Sequence, residues 1–150
     1  MSDEALREEL EAAYGAVVQA IRDEDPEAFL QAILPPQPGL EDAIRADFRA
    51  RPAMFRQVFP DLTHTTFVAV RTEGADFAGY YHARADPLNL GKAQILLTLF
   101  CRVEGRWRLV MKGILQLFDY DFLENNLLAR AREVVDSEPA LRLERPPELP

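Results

Sequence analysis

The sequence predicts an α+β domain, with N-terminal helices packed in the concave face of a curved antiparallel sheet of four or more strands and a further helix at the C-terminal end. Three observations carry this expectation. Apolar residues recur at helical spacing through Phe59. The period then shortens to two from Thr65. The run Lys92 to Phe118, KAQILLTLFCRVEGRWRLVMKGILQLF, reads as one long hairpin. Helices followed by strands, rather than alternating with them, indicate an α+β architecture.

The first helix is expected over residues 3–22. Ala5, Leu10, Ala13, Tyr14, Val17, Val18 and Ile21 form its apolar stripe, Ser2 caps it, and acidic residues fill its first turn. Asp25 followed by Pro26 starts a second helix running to about Leu34, where Pro35, Pro36 and Pro38 end it. A third helical segment covers about Leu40 to Phe59, with Ile44, Phe48, Phe55, Val58 and Phe59 as its apolar side. Pro52 kinks that segment or divides it into two shorter helices. Thr65–Thr72 and Asp76–Ala85 are strands around Glu73-Gly74-Ala75. A two-residue turn there pairs Phe67 with Tyr80; a three-residue loop pairs Phe67 with Tyr81 and Thr66 with His82. Asp86–Gly91 is a loop. A C-terminal helix over 120–135 shows a stripe of Tyr120, Leu123, Leu127, Ala131 and Val134. The chain thus reads as one domain over 1–136 and a proline-rich tail, 137–150, extended or disordered unless it packs on the surface.

The long hairpin carries Ala93, Ile95, Leu97, Leu99, Cys101 and Val103 on one face of its first strand. Trp107, Leu109, Met111, Gly113, Leu115 and Leu117 share one face of its second. A three-residue loop, Glu104-Gly105-Arg106, sets Cys101 against Leu109, Leu99 against Met111 and Ile95 against Leu115. A two-residue loop sets Cys101 against Arg108 and Leu97 against Lys112. Register follows the face that must be buried, which favours the three-residue loop with Gly105 in its left-handed position. The opposite face still shows Leu96, Phe100, Val110, Ile114 and Phe118, which suggests a second partner surface.

Composition narrows the function classes. A chain of 150 residues with 48% hydrophobic and 28% charged content is long enough for one full core and ordinary for a globular domain. A net charge of −8 with no basic cluster argues against nucleic acid and against anionic membranes. The apolar run Ala93–Cys101 is too short to span a bilayer, and the acidic start MSDEALREEL is unlike a secretory signal. Cys101 has no partner for a disulfide within the chain. A cytoplasmic location is therefore expected. Two scattered histidines and one cysteine suggest no metal site, and the absence of a glycine-rich phosphate loop or nucleophile elbow suggests no cofactor.

The stretch Ile21-Arg22-Asp23-Glu24-Asp25-Pro26-Glu27-Ala28-Phe29, the strand Ala78-Gly79-Tyr80-Tyr81, and the pattern Phe100-x4-Gly105-x-Trp107-x-Leu109 follow one another in an order that resembles the nuclear transport factor 2-like superfamily. This is the cystatin-like cone shared by SnoaL-like and ketosteroid isomerase-like proteins. The resemblance covers roughly residues 5–118. It implies a deep pocket between sheet and helices, and often dimerisation through the outer sheet face. The superfamily hosts isomerases, cyclases, dehydratases and non-catalytic binding proteins, so the fold alone does not select a function. The helix after Asp119 departs from the minimal pattern, and either caps the cone mouth or extends a dimer contact.

Within that frame, Tyr14, Asp47 and His82 are the catalytic candidates. Ketosteroid isomerase-like enzymes place an oxyanion-stabilising tyrosine on the first helix, although Tyr14 lies about one turn further from Asp25-Pro26 than that pattern puts it. His82 is suited to general-base work near neutral pH. Strand alternation ties it to its neighbour: if Tyr81 points into the cone, His82 points out, and the reverse. Asp47 and Asp76 are the acids nearest a pocket, and His64 is a surface residue. The expected pocket wall comprises Tyr14, Phe48, Tyr81, Leu97, Leu99, Trp107 and Met111, with Trp107 as packing rather than a stacking platform. Leu96, Phe100, Val110 and Ile114 are expected to form a homodimer interface.

The long hairpin offers no acid to the pocket, which counts against isomerase-like and cyclase-like mechanisms. The leading expectation is therefore a non-catalytic homodimer that binds a small apolar ligand or a protein partner. The alternative is a small isomerase- or cyclase-type enzyme using His82 or Asp47 with Tyr14. A third expectation makes the C-terminal helix and tail a docking element.

Overall fold

The computed structural model describes residues 2–85, 92–119 and 127–145, with the side chains of 112–119, 127 and 140 left aside. The loop expected at 86–91, the first part of the helix expected from 120, and the last five residues of the tail lie outside the described residues. The fold is α+β, with an open five-stranded mixed sheet ordered β1-β5-β4-β3-β2. Helix α1 spans Asp3–Arg22, α2 Pro26–Ala32, α3 Glu41–Ala50, α4 Pro52–Val58 and α5 Leu127–Ser137. The strands are β1 Ile33–Leu34, β2 Thr66–Thr72, β3 Phe77–Ala85, β4 Lys92–Val103 and β5 Arg106–Asp119.

Local chemistry accounts for the helix ends. The Ser2 hydroxyl accepts a bond from the Ala5 amide, and the Asp25 carboxylate from the Ala28 amide, so both expected caps form. At the end of α1, Glu24 adopts φ 52°, while the Asp25 amide donates to Ala20 O and the Glu24 amide to Ile21 O. This left-handed cap satisfies carbonyls that the helix leaves open. Pro52 divides the third helical segment into α3 and α4, as its missing amide requires. Leu34 does not continue α2, because a residue before proline is pushed out of the helical region. It pairs in β1 instead, parallel to β5, with Ile33 opposite Leu109 and Leu34 opposite Val110. This short strand replaces the last turn of the helix expected to run to about Leu34.

The hairpin register corrects the three-residue loop. Val103 pairs with Arg106, Arg102 with Trp107 and Cys101 with Arg108. The turn is the two-residue pair Glu104-Gly105, both left-handed at φ 53° and 77°. Two left-handed residues match the right-handed twist of the flanking strands, as in a type I′ turn. Further along, Phe100 faces Leu109 but Thr98 faces Gly113, so Val110, Met111 and Lys112 stand against Leu99 alone. This wide bulge bends β5.

The apolar-to-apolar matching failed because it assumed a single buried face. Both faces of β4 are covered. Phe100 packs with the N-terminal helices, while Ile95, Leu97, Leu99 and Cys101 pack on the other side with α5 and the chain end. A strand buried on both sides reads as a continuous apolar run and carries little information about register. The β2–β3 register likewise matches neither expected turn. Thr72 pairs with Ala78 across a longer loop in which the Glu73 amide donates to Phe77 O at 3.0 Å, and a bulge between Phe67 and Ala69 then sets Phe67 against His82.

The tail is part of the fold through Arg145, so a boundary at residue 136 does not divide it. Pro139–Leu141 form a 3-10 turn, and Leu141 is fully buried. The Tyr81 hydroxyl donates to Leu141 O at 2.7 Å. Arg145 grips Asp76 through two bonds of 2.9 and 3.2 Å. A Cβ on Gly79 would come within 2.9 Å of Leu143 and of Leu97, so glycine leaves the space in which Leu143 lies on the sheet. The C-terminal segment therefore covers the outer sheet face, where the sequence analysis expected a dimer surface.

Two substitutions check these points by urea unfolding. Leu141→Ala lowers the unfolding free energy by about 2–5 kcal/mol, the range for a buried leucine, where a loose tail would give no change. Glu104→Asn raises it by up to about 1 kcal/mol, because asparagine tolerates the left-handed position that glutamate does not.

Candidate functional site

The concave face of the sheet and the N-terminal helices enclose most of an aromatic core. Phe29 meets Phe48 at 4.9 Å and Phe55 at 5.3 Å between ring centroids. The packing is incomplete where α4 meets the centre of the sheet. A cavity of about 330 Å³ remains there, open on one side. One wall is α4 and its exit, with Met54, Phe55, Val58, Phe59 and Pro60; the other is strand, with His82, Leu96, Thr98, Leu109 and Met111; Tyr14 closes the α1 side. The bulge opposite Leu99 brings Leu97 and Val110 into the cavity as well, although both belong to the outer-face cluster. The size falls at the lower end of small-ligand pockets, roughly 300–1,000 Å³.

Strand alternation decides the histidine. Tyr81 points away from the cavity to Leu141, so His82 points into it. His82 is 1% exposed, and neither ring nitrogen has a hydrogen-bond partner among the described residues. Its ring meets Tyr80 at 5.6 Å and Tyr14 at 6.4 Å, both edge-on. Burial, with a smaller push from the Arg84 charge, lowers its pKa from 6.5 to about 4. At neutral pH it is an uncharged imidazole with one donor and one acceptor, both unused. A buried polar group without a partner costs about 1–3 kcal/mol, which makes this position unusual in a folded core.

Tyr14 stands on the buried stripe of α1 with Leu6, Leu10 and Val17. Its hydroxyl donates to Pro60 O at 2.8 Å, which ties α1 to the end of α4. Burial raises its pKa well above the ordinary tyrosine range. It therefore lines the cavity as a neutral phenol whose proton is already committed.

The structure brings together Tyr14, His82, Leu97 and Met111 of the expected residues and separates the others. Asp47 is not in the cavity: its side chain is 51% exposed and pairs with Arg51 at 3.0 Å, because it lies off the Ile44–Phe48 stripe that α3 buries. Asp76 is held by Arg145 on the opposite side of the sheet, and its carboxyl pKa is lowered by that bond. Phe48 is filled core under α2. Tyr81 and Leu99 lie on the outer face, packed with α5 and the tail. Trp107 packs under the Arg102 guanidinium at 4.5 Å near the hairpin turn. His64 is exposed, as expected.

The proposed dimer surface is also corrected. Phe100 is 0% exposed against the helices and Val110 is buried under the C-terminal segment, while Leu96 lines the cavity. The Ile114 side chain lies outside the described residues. The sequence reading missed the wall from α4. Its signal was present in Pro52-Ala-Met-Phe-Arg-Gln-Val-Phe-Pro60, which holds more large apolar residues than so short a helix can bury; Val58 is 58% exposed at the cavity rim. Among the described residues no helix is long and apolar enough to cross a membrane, and no three His, Cys, Asp or Glu side chains cluster as metal ligands would.

The depressed pKa of His82 sets a pH dependence. Between pH 6.5 and about 4 the unfolded chain binds a proton at this residue that the folded chain does not, so stability is lost as pH falls through that window. Urea unfolding at pH 7 and pH 5 should show His82→Phe losing about 2 kcal/mol less than the native chain over that interval. At pH 7 the same variant should be the more stable of the two, because it removes two unpaired buried nitrogens. In comparison with known proteins, the chain matches no family model, no curated protein and no solved structure.

Proposed function

We propose that this chain is a non-catalytic binding domain of the nuclear transport factor 2-like kind, whose cavity takes a small, mainly apolar ligand carrying one hydrogen-bonding group. The observation that carries the reading is His82, buried on a mainly apolar wall with both nitrogens unpaired among the described residues. A ligand hydroxyl or carbonyl reaching this ring supplies the missing bond, and the aliphatic and aromatic wall buries the rest of the molecule. The order of helices and strands, and the placement of α1 to α4 on one sheet face, support the family reading.

The enzymatic alternative draws less support from the same geometry. An isomerase- or cyclase-type mechanism needs a charged base or a carboxylate on the wall, with a free donor across from it. Among the described residues no carboxylate lines the cavity, His82 has too low a pKa to be a strong base, and the Tyr14 proton is held by Pro60 O.

The test is a ¹H–¹⁵N NMR titration with toluene, benzyl alcohol and acetophenone. Shifts should map to Tyr14, Met54, Val58 and Met111, with the two polar probes binding about 3–10-fold more tightly than toluene, the value of one hydrogen bond. His82→Phe should abolish that difference while retaining toluene. Equal binding of all three by the native chain, or shifts that fall elsewhere, would sink the reading.

A further inference from the structure

The ligand chemistry can be narrowed by looking one step along β3. Tyr80, His82 and Arg84 alternate onto the same sheet face, and their partners on β4 are Thr98, Leu96 and Gln94. Thr98 and Leu96 line the cavity, so Arg84 lies one residue pair beyond its strand wall. Residues two apart on a strand are separated by about 7 Å, so a group anchored at His82 reaches Arg84 within a few bonds.

Arg84 is half-buried, and its single hydrogen bond among the described residues is from Nε to Gln94 Oε1 at 2.8 Å. No carboxylate pairs with it among those residues. Several other arginines are ion-paired among the described residues: Arg7 with Glu11, Arg22 with Asp61, Arg45 with Glu27 and Asp42, Arg102 with Glu9. The bond to Gln94 fixes the guanidinium plane through Nε and leaves both terminal nitrogens without a partner among the described residues. That fork matches a carboxylate in two-point contact. The Arg84 charge also acts on the cavity, opposing protonation of His82 and favouring ionisation of Tyr14.

We infer that the ligand is a small carboxylic acid with an apolar chain or ring, its body in the cavity and its carboxylate held by Arg84, with the neutral His82 ring donating to the same head group. This rests on the binding role proposed above and names the ligand class. Three features combine in it: a cavity lined by apolar side chains, a buried imidazole without a partner, and a cation whose protein contact is one neutral amide. A neutral ligand would satisfy the first two and leave the third without a role.

The experiment is calorimetric titration of the full chain with octanoate and with 1-octanol, which share a chain length and differ in head-group charge. Octanoate should bind at least 10-fold more tightly than 1-octanol and weaken as salt is added. Arg84→Gln should lower octanoate affinity about 10-fold and leave 1-octanol within twofold, while Arg84→Lys, which keeps the charge but not the fork, should fall between. If 1-octanol binds as tightly as octanoate, or Arg84→Gln weakens both alike, the acid class is wrong and the apolar pocket stands. If neither compound nor toluene binds, the pocket reading falls and the inference with it.

Discussion

The structure depends on one strand that is buried on both sides. From Phe77 to Ala83 every residue of β3 is inaccessible. A strand sends successive side chains to opposite faces, so β3 divides its residues between two cores. Ala78, Tyr80 and His82 go to the N-terminal helices; Phe77, Tyr81 and Ala83 go to α5 and the chain end. Both cores must form for this strand to be covered. The C-terminal segment is accordingly the second apolar layer of the sheet, fastened through Leu141, the Tyr81 hydroxyl and the Asp76–Arg145 pair. A slip of one residue in β3 would move His82 to the tail side and Tyr81 into the cavity, exchanging the chemistry of the two faces.

His82 is a local conflict at the heart of the helix-side core. The residues around it are chosen for packing, and none of those described offers a bond to its ring. Natural sequences are largely self-consistent, and departures from consistency concentrate where function imposes a second requirement. Tyr14 makes the contrast clear. It is equally buried and faces the same cavity, yet its hydroxyl is fully employed in joining α1 to Pro60. Two neighbouring polar side chains thus have opposite roles, one closing the structure and the other left open.

The sequence was most legible where local chemistry decides. Ser2, Asp25-Pro26 and Pro52 place three helix boundaries through bonds made or missing within a few residues, and the structure has them where the letters put them. Legibility fell where a choice depended on what lies on the far side of a strand. The letters from Ala93 to Cys101 are apolar on both faces, so they cannot say which set meets the helices. The reading took the odd-numbered set, and the structure assigns that set to α5 and the tail. Leu99, Leu96 and Phe100 were misassigned for that reason. His82 was legible as a chemical candidate, but its direction required β3 to be placed first. Asp47 was legible only as an acid near an apolar stripe, and about a quarter of a helical turn is enough to carry such a residue out to solvent.

The C-terminal cover has a consequence for how the molecule is made. Leu141, Leu143 and Arg145 leave the ribosome after all the strands they protect. Until then, Val68, Phe77, Tyr81, Ile95 and Leu97 have their helix-side neighbours available but not their own covering layer. The growing chain therefore passes through a stage in which one apolar sheet face is open to other nascent chains. Completion of this sheet waits for residues 139–145 to emerge, and a chaperone that recognises extended apolar surface would find its target on this face rather than at the cavity.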